Sequence, residues 1–217
     1  MSAINLCLWG AGLGLQLTLV AVLFLRRVAR RFPIFTLLVI FYVLRSVTLF
    51  ALFDYLARST YSQLYDFLSL ADLCLQILLA GEIAFSILRQ SSGWTWSRMA
   101  KVALFAALAL GVAGGVAALL PTPGSVPVDR GAAFAAVLMV LLLLWAVLAR
   151  VAGATRRIAE GFAVYGIVSV LAGIARSYAA LHRNAGAYAA SSYAQAGIYM
   201  AVVVYWLFTL KTEPAVE

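Results

Sequence analysis

Tyr65, Ser69, Asp72 and Gln76 follow one another in steps of four, three and four, the spacing that sets side chains on one face of an α-helix. Their neighbours, including Leu70, Leu75, Ile77, Leu78 and Leu79, are apolar enough to belong in a bilayer. A carboxylate at the centre of a membrane costs about 3 kcal/mol or more unless it meets a partner or a wet cavity. The helix carrying Asp72 is therefore expected to face the inside of a bundle. Glu82 lies ten residues beyond Asp72 and turns to another side, which it shares with Ser86 and Arg89. Intramembrane acids of this kind serve as ion or proton relays or as ligand contacts. Glu82 can equally extend its carboxylate toward loop arginines at the membrane surface.

Arg45 is the natural counter-ion. At about 1.5 Å per residue it lies roughly 18 Å into the second apolar run, and Asp72 roughly 15 Å into the third, running the other way. In a hydrocarbon core about 30 Å thick both are near the middle. The expected Arg45–Asp72 pair has two readings, an orienting tie between neighbouring helices or part of a functional path. Toward the opposite face, Asp54, Asp66 and Arg176 fall at similar depth, with His182 and Arg183 just beyond the sixth helix. They line an external vestibule for a small polar or anionic ligand, or they are solvated helix ends. Tyr199, deep in the last apolar run, needs a hydrogen-bond partner, and the central helix is the candidate.

The elements that position these residues follow from composition. Of 217 residues, 65% are apolar and 11% charged, outside the range of ordinary soluble domains and typical of a polytopic helical membrane protein. The apolar runs predict seven helices, over about 4–25, 33–56, 62–89, 101–120, 131–149, 158–181 and 191–210, in a single membrane domain. Pro33 suits a first helical turn, and the proline-rich 121–127 stretch predicts a break between spans. Small pairs at Gly10/Gly14 and Gly111/Gly115 permit close helix approach. Glu160, opening the sixth helix, is expected to complement its dipole. Cys7 and Cys74 fall at different depths of different spans, so no disulfide is expected and both read as small buried apolar groups.

The net charge of +8 does not point to nucleic acid, because the bases lie in short loops at helix ends. With the N-terminus outside, Arg26, Arg27, Arg30, Arg31, Arg89, Arg98, Lys101, Arg150, Arg156, Arg157 and Lys211 are all cytoplasmic. Arg58, Arg130 and Arg183 lie outside, and Arg45 and Arg176 lie within spans. This bias is the signature of an inward C-terminus and an odd number of crossings.

The chain has one histidine, two cysteines at different depths, and none of the GxSxG, HExxH or GxxxxGK[ST] motifs. An enzyme is disfavoured, and no cofactor or metal is expected. The layout of seven helices with an external N-terminus resembles that of the microbial rhodopsins. That resemblance implies no retinal here, since Tyr199, Met200 and Ala201 occupy the part of the last helix where those proteins hold a lysine. The SWEET sugar transporters share helix number and orientation, but they depend on prolines within their helices, and all five prolines here lie in loops or at helix ends.

Two expectations follow. In one, the protein is a non-enzymatic module of the cell (inner or plasma) membrane that binds a small ligand, or an accessory subunit of a membrane complex, with a protein partner to receive its state. In the other, it is a small secondary transporter or ion path using Arg45, Asp72, Gln76 and Glu82.

Overall fold

The computed structural model describes residues 3–52, 55–90 and 127–211, and among these every regular element is an α-helix. In chain order they are α1 (Ala3–Leu25), α2 (Val28–Arg31), α3 (Pro33–Leu52), α4 (Arg58–Gln90), α5 (Pro127–Leu148), α6 (Ala154–Leu181) and α7 (Ala185–Lys211). Five contain stretches long and apolar enough to cross a membrane: Leu6–Leu25, Pro33–Leu52, Ser59–Gln90, Ala154–Leu181 and Ala185–Lys211; the apolar part of α5, Ala133–Leu148, is shorter. The predicted span over 101–120, with Gly111 and Gly115, lies outside the described residues. The break expected through Pro127 ends sooner, because Pro127 opens α5. A proline has no amide hydrogen to lose at a first helical position.

The chain divides into two compact units. Residues 1–79 and 203–217 form the first, and residues 80–202 the second. In the first, α1 packs on α3, and the single turn α2 joins them. Its core gathers Leu19, Leu23, Phe32, Phe35 and Leu38, all fully buried. The Phe35 ring meets Trp206 of α7 edge-on at 5.1 Å, and Trp9 stacks on Phe50 at 4.1 Å. The outer faces keep Leu17, Phe24, Leu37, Leu44 and Phe67 exposed, as expected of helices whose solvent is lipid.

In the second unit α5 packs along α6 through small residues. Ala133, Ala136, Ala159 and Ala163 are buried there, and a Cβ placed on Gly166 would lie 2.9 Å from that of Ala136. Hydrocarbon gives helices no hydrophobic reason to associate, so close backbone approach between small side chains is how they gain contact. Gly10 and Gly14 behave differently: a Cβ at either meets nothing within 4 Å. The close approach expected at that pair is absent among the described residues. Cys7 and Cys74 are exposed rather than buried, since the faces of α1 and α4 that carry them point outward.

Among the described residues, three helices are followed two residues on by an arginine in left-handed conformation: Arg27 (φ 57°), Arg150 (φ 53°) and Arg183 (φ 52°). Behind Arg150, the Val151 amide donates to Ala146 and the Arg150 amide to Val147; the Asn184 amide donates to Ala179 and the Arg183 amide to Ala180. These are the paired closing bonds of a Schellman turn, with arginine in the place usually taken by glycine. Glu160 is not in a first turn, because α6 begins at Ala154. Its carboxylate instead accepts from Arg156 one turn earlier, at 2.7 Å.

Candidate functional site

The stripe of α4 meets α3 at Arg45. Nη1 of Arg45 donates to Oδ2 of Asp72 at 2.9 Å, and Nη2 donates to the Ser69 hydroxyl at 3.1 Å. The guanidinium lies over the Tyr65 ring, 5.3 Å from its centre. Oδ1 of Asp72 accepts from Gln76 at 2.9 Å, and the same Gln76 nitrogen reaches the Tyr42 hydroxyl at 3.5 Å. All of these residues belong to the first unit.

Local sequence explains the arrangement. The four–three–four spacing keeps Tyr65, Ser69, Asp72 and Gln76 in line along α4, while Tyr42 and Arg45, three apart on α3, face it from the other side. Each oxygen of the carboxylate has a donor, and the cation has two acceptors and an aromatic face. A buried ion pair is favourable only when its remaining hydrogen-bonding capacity is met in this way. Ser69 is buried, but the Arg45 and Asp72 side chains each retain 17% exposure. The cluster therefore sets one cation against one carboxylate, holds both by hydrogen bonds, and stays partly exposed.

The other expected residues are placed separately. Glu82 is half-buried on the part of α4 that belongs to the second unit. One turn on, the Ser86 hydroxyl lies 2.7 Å from that of Thr155, and Gln90 donates to Thr155 at 2.8 Å. This tie fixes the end of α4 to the start of α6. Tyr199 packs edge-on against Tyr165 of α6, ring centres 5.5 Å apart.

Of the expected vestibule, Asp66 is exposed on α4 and Asp54 lies outside the described residues. His182 caps α6 locally: its Nδ1 lies 3.0 Å from the Tyr178 carbonyl, and its ring lies tilted by 31° against that of Tyr178, centres 4.1 Å apart. Arg176 turns instead into the α6–α7 hairpin, where Nη1 donates to Oε1 of Gln195. Gln195 in turn donates to the Ser169 hydroxyl at 2.7 Å and reaches that of Tyr165 at 3.5 Å.

Sequence reasoning passed over Tyr42, Tyr165 and Ser169. For the last two a signal existed: Tyr165, Ser169, Ala172 and Arg176 repeat the four–three–four spacing of Tyr65, Ser69, Asp72 and Gln76. Compared with protein-family models, with curated proteins and with solved structures, the chain matches none.

Proposed function

We propose that this chain is a non-enzymatic membrane module of seven spans, N-terminus outside and C-terminus cytoplasmic, in the cell (inner or plasma) membrane. It takes a small ligand at the Arg45 cluster, or serves as an accessory subunit, and passes its state to a protein partner. One observation carries the reading: both carboxylate oxygens of Asp72 and both terminal nitrogens of Arg45 are hydrogen-bonded, yet the pair is partly exposed. A ligand with an acidic group can exchange with Asp72 at the guanidinium, and a cationic one can compete with Arg45 at the carboxylate. Either exchange loosens the hold of α3 on α4, and a ligand shifts a structure only by such differential contacts. A second reading, transport, draws on Glu82, which is half-buried farther along the helix that carries Asp72; intramembrane acids are the usual relays.

Purification from native membranes tests the first reading. A protein partner retained in constant ratio by the wild type and lost with Asp72→Asn supports the module. If no partner is retained, and wild-type liposomes show a flux driven by a pH gradient that Asp72→Asn and Glu82→Gln abolish, the module is wrong and transport is right.

A further inference from the structure

We propose that the α6–α7 hairpin holds a second binding site, one for an oxyanion, built on Arg176 and separate from the Arg45 cluster. Arg45 and Arg176 are the two arginines placed deep along apolar helices, and their surroundings differ in one respect. Arg45 has a carboxylate. Arg176 has a neutral amide, and among the described residues no carboxylate lies within ion-pair distance of it.

The direction of the side chain makes the difference matter. Arg176 is five residues from the last residue of α6, close enough to extend to the surface as membrane arginines usually do. It points the other way. Its acceptor Gln195 is ten residues into α7, about 15 Å along that helix, and helical side chains lean toward the N-terminal end of their own helix. Around α6, the exposed apolar stripe is Ile167, Leu171, Ile174 and Tyr178. Tyr165, Ser169, Ala172 and Arg176 are each two residues earlier, about 200° round the helix. The cation thus lies on the side opposite the exposed apolar stripe, half-buried and, among the described residues, without a carboxylate within ion-pair distance.

A guanidinium has five N–H donors, and Gln195 takes one of them. The Ser169 hydroxyl, which accepts from Gln195, has its own hydrogen to give. In the first cluster the equivalent spacing carries Asp72; here it carries the buried Ala172. The second cluster is thus the first without its carboxylate. The ligand chemistry that completes it is a carboxylate or phosphate oxygen pair, which guanidinium binds in two-pronged fashion. The headgroup of an anionic phospholipid and a small free anion both offer it.

The full-length protein in nanodiscs tests the site. In phosphatidylcholine discs, inorganic phosphate against chloride of equal ionic strength is expected to raise the unfolding temperature by about 3 °C. Discs containing phosphatidylglycerol, without phosphate, should give a similar rise if a lipid is the source. A response to either probe that Arg176→Gln removes supports the site and names its source. Loop arginines respond equally in both forms and cancel in the comparison. Ala172→Asp, which supplies a carboxylate one turn before Arg176, should raise the unfolding temperature with neither probe present and abolish the response. If it does not fold, Arg176→Gln decides alone. No response in the wild type, or an equal one in Arg176→Gln, overturns the proposal. A response that appears only in Asp129→Asn also overturns it, since the counter-charge would then come from the first turn of α5.

Discussion

At Arg45 both terminal nitrogens are committed to α4, and at Asp72 both oxygens are committed to donors. Removing one side leaves the other charged and unmatched away from water, which costs about 3 kcal/mol. Asp72→Ala should therefore lower stability by that order, measured as thermal unfolding in a fixed detergent. The double variant Arg45→Met/Asp72→Leu should return to within about 1 kcal/mol of the wild type, because apolar replacements of similar size commonly match a buried pair. The same double variant separates packing from binding. If partner retention stays lost while stability returns, the pair does more than orient helices. The pair itself was legible in the sequence, because two depths counted along adjacent apolar runs suffice to bring Arg45 level with Asp72. The bond from Arg176 to Gln195 was not, since it depends on where α7 starts. α7 begins at Ala185, six residues before the apolar run suggests, because alanines extend a helix without adding much hydropathy.

At the level of elements, the α5–α6 seam and the helix ends are where the sequence has least freedom. Gly166→Ala places a methyl within 2.9 Å of the Ala136 side chain and 3.0 Å of its Cα. Backbone cannot retreat as a flexible side chain can, so a loss of about 1–3 kcal/mol is expected. Gly10→Ala is the control. Its Cβ meets nothing, and stability should stay level or rise by up to about 1 kcal/mol, as for glycine replaced within a helix. A matching loss at Gly10 would mean that another helix covers that face.

The Schellman turn at Arg150 gives a prediction of opposite sign. A side chain in left-handed conformation costs about 1–2 kcal/mol, so Arg150→Gly should stabilise by roughly 1 kcal/mol, read as a higher unfolding temperature. Helix ends were the least legible feature of the sequence. Arg27, Arg150 and Arg183 announce themselves as orientation charges, and nothing in their type shows that they also turn the backbone.

For the molecule as a whole, hydropathy made the helices visible because lipid imposes a strong requirement: every backbone donor must be satisfied within its own segment. Among the described residues five helices meet the length and apolarity a crossing needs, and α5 has a shorter apolar stretch. The proposed seven crossings need α5 and the apolar run 101–120 to traverse the bilayer as well, a topology in which most arginines fall on the cytoplasmic side. Labelling of single cysteines with a membrane-impermeant thiol reagent tests this most directly. Cys7 is exposed, so it and Cys74 are first replaced by alanine, and one cysteine is then introduced at Ser2 or at Glu217. Ser2→Cys is expected to label in intact cells, and Glu217→Cys only after the membrane is opened. Labelling of both positions from the same side would contradict that topology.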